Sequence, residues 1–375
     1  MNNIFLTGAT GFLGGYLIKS FLEEDNNVYV LIRARNNKEL LERKEKLIKD
    51  MFPVDLISKA EQKIHAIRGD IKKVRLGISK EDFLYLQKKI NIVFNSAAIT
   101  AFDWPLSKIR KINVLGTEHL MDMLLTWKHH GALETINHIS TSYVVGKYSD
   151  IFYENQTNVN QEFNNSYEQS KFESEQLLEI YKKKGLIIDV FRPSIIVDSI
   201  PVNINRISLL LRFLKILVAE IFNVIPFKDE TRMNFISVDN VVKAICTIAF
   251  DKEKKPNKVY HIVNPNFILF KELLDYGSKT FEVTRPVCLS EEDFQNSKLS
   301  FIQRRLSRYI MPYLKAYVNH SPIFDQSNTK TILEKNNVVL KYMDIDYLDQ
   351  IFKEYKDKGL VSKDKKSLKS LNFDD

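Results

Sequence analysis

A chain of 375 residues exceeds what a single hydrophobic core usually organises, so a main domain with a smaller appendage is expected. With 44% hydrophobic and 27% charged residues, its composition is that of an ordinary globular protein. The net charge of +8 is scattered over surface-like helical stretches and the C-terminal end, without interleaved aromatics, which argues against a nucleic-acid partner. Two cysteines, Cys246 and Cys288, form no C-x-x-C pair, so no metal site or disulfide framework is expected and a cytoplasmic, reducing compartment is favoured.

The first apolar run, Ile4 to Leu6, leads straight into "TGATGFLG" and then a helical pattern. Gly8, Gly11 and Gly14 therefore sit in a strand-to-helix turn, where backbone N–H groups at a positive helix end suit a phosphate. No signal peptide is expected ahead of this strand. Further β-rich runs follow near residues 28, 63, 90, 135 and 186, alternating with helical patterns such as "KELLERKEKLIKDMF" and "YEQSKFESEQLLEIYKKK". Strict alternation predicts right-handed crossovers and an α/β fold, a Rossmann-type doubly wound parallel sheet.

The second strand ends in "LIRARNNKELLERKEK", with no acid to hold the ribose hydroxyls of NAD. Arg33 is placed to meet a 2′-phosphate and Arg43 to reach back over the same pocket, so NADP(H) is the expected cofactor; Arg35 reads as surface. After the third strand, Asp70 is positioned to accept from the adenine amino group while Ile71 packs on the ring. Ser96, Ala97 and Ala98 end the fourth strand in small residues that permit close approach of a cofactor. Phe102 and Trp104, on the loop beyond, either shape a substrate mouth or pack the loop.

The fifth strand delivers Ser140, Thr141 and Ser142, hydroxyls able to steady a developing oxyanion. One βα step later, Tyr167 and Lys171 stand four apart on one helix face. An ammonium beside the phenol is expected to lower its pKa and make it a usable proton donor. Among the histidines, His129 and His130 read as exposed at a helix end, and His138 and His261 as satisfied core groups.

After Val197 the alternation breaks. The apolar stretch from Arg206 to Phe227 carries Arg206, Arg212, Lys215 and Glu220, too many charges for a transmembrane span, and reads as an amphipathic helix beside a substrate pocket, at a membrane surface, or in an ordinary core. "RMNFISV" reads as a strand, "DNVVKAICTIAF" as a helix, and "VYHIVNP" as a strand that rejoins the sheet. The expected division is a cofactor domain over 1–200 and 232–266, a mainly helical substrate-side domain over 201–231 and 267–360, and a frayed tail over 361–375.

In this order, "TGATGFLG", "GDI", "NSAA", "NVLGT", "ISTSYVVG" and "YEQSK" resemble the extended short-chain dehydrogenase/reductase superfamily over about residues 1 to 265. The strand-two segment, "FRPSIIVDS" and "MNFISVDNVVKAI" are most similar to its thioester-reductase and fatty-acyl-reductase branch. The resemblance implies Thr141, Tyr167 and Lys171 as the catalytic set, Asn113 as a supporting polar residue, and Pro193 to Ile196 beside the nicotinamide. It also carries Thr10, Phe12 and Leu13 into the cofactor loop with the three glycines. The implied reaction is NADPH-dependent reduction of an acyl thioester, on coenzyme A or a carrier, to an aldehyde or on to the alcohol. "VDSIPVN" departs from the branch in lacking a glycine after this strand, and the C-terminal region has no secure counterpart. Two other readings remain at this point: an enzyme acting on a nucleotide sugar, and a non-catalytic dinucleotide sensor.

Overall fold

The computed structural model describes residues 1–198, 208–300, 303–304, 307 and 322–362. Parts of the substrate-side domain expected over 201–231 and 267–360, and the tail from residue 363 onward, lie outside them. Seven parallel strands form the central sheet: β1 (Asn3–Thr7), β2 (Asn27–Ile32), β3 (Ile64–Arg68), β4 (Ile92–Asn95), β5 (Thr135–Ile139), β6 (Ile188–Pro193) and β7 (Val259–Ile262). Their spatial order is β7-β6-β5-β4-β1-β2-β3, so the chain reverses direction between β1 and β4. That reversal opens a crevice at the carboxyl ends of the strands, where this architecture holds its ligands. The expected Rossmann-type sheet is present, and β7 rejoins it beside β6 as its sequence suggested.

Side-chain alternation assigns the helices to the two faces. Ile4, Leu6, Val28 and Val30 pack with α1 (Phe12–Glu23), α2 (Asn37–Met51) and α9 (Val238–Phe250). The intervening Phe5 and Tyr29 turn the other way, toward α4 (Lys80–Lys89), α6 (Leu115–His130) and α7 (Ser166–Lys183). There Trp127 lies fully buried with its ring edge-on to Phe5, the centroids 5.8 Å apart. Three shorter elements complete this part: α3 (Ile57–Lys63), α5 (Leu106–Asn113) and the helix α8 (Leu209–Val218) that begins the second core.

That second core packs α8 against α10 (Phe270–Phe281) and α13 (Ile345–Asp357), with α11 (Glu291–Asn296) at its margin and α12 (Ser327–Lys335) on the sheet side. The apolar run after residue 208 is thus half helix: α8 stops at Val218, and Ile221, Phe222, Ile225 and Phe227 enter the same core from a following segment that holds a two-residue strand, Val224–Ile225, paired with Val287–Cys288. Phe227 stacks on Phe270 at 4.3 Å between centroids. Val361 is buried in this core too, so the chain is packed one residue into the stretch expected to fray. No helix among the described residues is long and apolar enough to cross a membrane.

Candidate active site

The corner between β1 and α1 is built for close approach. Gly8 has φ +76°, and a Cβ there would stand 2.6 Å from the Ser96 carbonyl and 2.7 Å from the Ala97 nitrogen. A Cβ on Gly14 would lie 2.1 Å from the Gly8 oxygen. Only glycine lets the helix start, the turn and the end of β4 share this space. Gly11 caps α1 without any side chain on the helix end, and Thr10 and Gly11 are exposed while Leu13 is buried beneath them. Phe12 is partly covered, in edge contact with Tyr16. Across the crevice the Ala97 N–H donates to Thr7 Oγ1 at 3.2 Å, which fixes the Ser96–Ala98 segment against the corner. A helix N-terminus beside a cradle that a Cβ would fill fits a dinucleotide pyrophosphate.

Beyond β2 and β3 lies a cleft of about 580 Å³ lined by Arg33, Arg35, Glu39, Arg43, Arg68, Asp70 and Lys73. The Arg43 guanidinium does reach back, donating to the Arg33 carbonyl. Arg35 instead pairs with Glu39 at 2.9 Å on the surface, as its surface reading implied. Arg68 and Lys73 join this positive rim without having been singled out in the sequence; the available signal was that Arg68 immediately precedes Gly69-Asp70 at a strand end. Asp70 Oδ1 accepts from the Lys72 N–H at 3.0 Å, and Ile71 is buried against Gly116.

At the other end of the crevice, Thr141 caps the short helical turn after β5, its Oγ1 3.3 Å from the Tyr143 N–H and 3.4 Å from the Pro193 carbonyl. The Tyr167 phenol lies close enough to this hydroxyl for it to oppose the rise in the phenol's pKa, so the two expected oxyanion ligands converge. The Tyr167 ring stacks on Phe102, 5.3 Å between centroids and 19° between planes, at the margin of the second apolar core. Phe102 thus packs directly on the expected proton donor, a placement its sequence context left open. Asn113 is the brace: its amide bridges both backbone groups of Ile99, at 2.8 and 3.1 Å, and donates to Ser170 Oγ at 2.9 Å. Ser170 in turn donates to the Tyr167 carbonyl at 2.8 Å. Ile196 stands on a three-residue strand, Ile195–Val197, paired with Phe235–Ser237.

The electrostatics differ from expectation in one respect. Burial, followed by the Glu168 charge, pushes the Tyr167 phenol upward, opposed only by the Thr141 hydrogen bond. Lys171 does not supply the expected ammonium beside it. Its Nζ donates to the Ile139 carbonyl at 2.7 Å and meets His138 Nε2 at 3.2 Å, and burial brings it down to about 8, with Glu175 opposing. Spacing of four put both groups on one helix face, but the longer side chain satisfies itself on β5.

The family described as Male sterility protein matches residues 6–245. A putative fatty acyl-CoA reductase of Drosophila melanogaster is 36% identical over 149 residues, 38% of this chain and 28% of that protein. The L-2-aminoadipate reductase of Saccharomyces cerevisiae is 25% identical over 297 residues, 73% of this chain and 21% of that protein. The chain thus spans under a third of the length of these relatives. Among solved structures, the terminal R domain of the myxalamid PKS-NRPS pathway superposes with a TM-score of 0.77 at 23% identity, covering 96% of this chain and 91% of that one.

Proposed function

The chain belongs to the male sterility protein family, within the extended short-chain dehydrogenase/reductase superfamily, and from that premise we propose that it reduces an acyl thioester to the aldehyde with NADPH. The observation that carries this reading is the meeting of the Thr141 hydroxyl with the Tyr167 phenol where the crevice borders the second apolar core. Two hydroxyls aimed at one point suit a carbonyl oxygen on which negative charge develops. An apolar neighbour suits the acyl chain.

The Gly8–Gly14 loop, Thr10, Phe12 and Leu13 would hold the pyrophosphate, and Ser96, Ala97 and Ala98 the approach beneath it. Asp70 and Ile71 would take the adenine, Arg33 and Arg43 the 2′-phosphate, and Lys171, Pro193 and Ile196 the nicotinamide riboside. When bound, the dinucleotide supplies a hydride. Thr141 and Tyr167 hold the thioester oxygen, and Tyr167 gives it a proton as the carbonyl carbon is reduced. Burial keeps the phenol protonated, the form a reduction requires. The resulting hemithioacetal then breaks its C–S bond, releasing aldehyde and thiol. Asn113, through Ser170, keeps Tyr167 in place. Residues 1–200 with 232–266 serve the cofactor in this reading, and 201–231 with 267–360 the substrate.

The test is NADPH consumption with acyl-CoA thioesters of graded chain length and with the matching aldehydes. Thioester-dependent consumption with aldehyde formation is expected. Turnover of nucleotide sugars with NAD, and none of thioesters with NADPH, would overturn the reading.

A further inference from the structure

His138 sits on β5, 1% exposed, with its two ring nitrogens engaged on opposite sides. Nε2 is 3.2 Å from Lys171 Nζ, and Nδ1 is 3.0 Å from Asn95 Nδ2. Which nitrogen carries the proton follows from what Asn95 can offer. Thr117 spends its hydroxyl proton on the Asn113 carbonyl at 2.7 Å, so toward Asn95, 3.4 Å away, it presents a lone pair and must face the amide NH₂. On the other side Thr7 Oγ1 accepts from the Ala97 N–H and gives its own proton to Asn95 Oδ1 at 2.7 Å. Both contacts turn the Asn95 NH₂ toward His138, making Nδ1 an acceptor. A neutral ring then carries its proton on Nε2, facing the lysine.

We propose that His138, locked in one tautomer by Asn95, is a positioning residue that lowers the proton affinity of Lys171 at the end of β5. An Nε2–H bond needs a lone pair on Nζ, while the amine's own N–H serves the Ile139 carbonyl. Protonating Lys171 sets an ammonium N–H against Nε2–H, and the ring cannot move its proton to Nδ1 without meeting the Asn95 NH₂. Burial works in the same direction, since desolvation is the main cause that keeps His138 neutral. Glu175 favours the ammonium, but its carboxylate is paired with Arg192 at 2.5 Å. The groups that β1, β4 and α6 bring to this chain, Thr7, Asn95 and Thr117, are uncharged. Tyr167 and Glu168 stand one turn before Lys171 on α7.

The spectroscopic arm needs no cofactor. Histidine ¹⁵N NMR of the free protein should show His138 protonated on Nε2 alone, and ¹³C-labelled lysine should show one signal, absent in Lys171→Arg, that titrates at or below about 8. His138→Gln can turn its amide oxygen to the ammonium, and Asn95→Asp reverses the ring tautomer. Each should raise that titration at least one pH unit, a tenfold change in proton affinity. A proton on Nδ1 in the wild type, or an unmoved lysine titration in whichever variant folds, overturns the proposal. The kinetic arm rests on the proposed reduction: the Lys171-dependent limb of the kcat pH profile should move alkaline with the NMR titration. If the tautomer and titration behave as stated but no thioester is reduced, the reductase reading fails and the role of His138 stands.

Discussion

At the scale of single residues, the proposed reaction divides the site into groups that would hold charge and groups that would move a proton. Tyr167→Phe keeps the Phe102 stacking but removes the proton, so kcat should fall by roughly 10²–10⁴-fold while NADPH binding, read by fluorescence titration, is unchanged. At the adenosine end, a charge-assisted bond to phosphate contributes about 1.5–3 kcal/mol. Arg33→Ala and Arg43→Ala should each raise KM for NADPH by roughly tenfold or more and leave KM for NADH alone; an equal effect on both would remove the basis for the NADP assignment. The three glycines, the strand-two arginines and the Tyr167–Lys171 pair were picked out by short spacing in the sequence, and Thr141 by the family resemblance. Where the lysine amine points was not legible, because that depends on His138 and Ile139, more than thirty residues away in sequence.

At the scale of elements, the start of α1 and the start of α7 carry the account. Gly14→Ala places a methyl group 2.1 Å from the Gly8 oxygen, so the helix must shift, at a cost of about 1–3 kcal/mol with a rise in KM for the dinucleotide. At α7, Asn165 caps the helix by accepting the Glu168 N–H, and the Glu168 carboxylate accepts from Asn164 and Asn165. Burial raises Glu168 to about 7 from its ordinary 4.5. The folded protein therefore keeps a proton that the unfolded chain loses, and the Glu168 contribution is full below pH 4.5 and lost as pH rises through 7. That contribution is on the order of 3 kcal/mol. Calorimetry from about pH 4.5 to 8 should show a smaller loss of stability for Glu168→Gln than for the wild type; parallel curves would contradict it. The sequence showed α7 as the helical pattern beginning "YEQSK", but its Asn165 cap and the burial that shifts the carboxyl appear only in the fold.

At the scale of the whole molecule, the sheet and the C-terminal segment are fastened by one buried polar network. Arg192 on β6 pairs with Glu175 on α7 and meets His261 Nε2 at 3.2 Å; His261 Nδ1 donates to the Asp325 carbonyl at 2.7 Å. Glu154 accepts from the His261 N–H at 2.7 Å and from Thr329 Oγ1 at 2.7 Å, tying α12 to β7. Removing one partner of a fully buried ion pair strands the other charge, so Arg192→Met should cost about 3–5 kcal/mol in urea unfolding. Alternation of strand and helix revealed the sheet because each crossover is local. The division of the apolar run after residue 208 into a short helix and a segment with a two-residue strand was not legible, since both bury the same residue types in one core.

The most direct test of the central claim is a single-turnover reaction of [4-²H]NADPH, prepared as each stereoisomer, with an acyl-CoA, followed by mass spectrometry of the aldehyde. One stereoisomer should place deuterium on the aldehyde carbon in the wild type, and Tyr167→Phe should suppress that product. Aldehyde without deuterium from either isomer, or undiminished labelled product from Tyr167→Phe, would contradict the assignment of hydride reduction to this site.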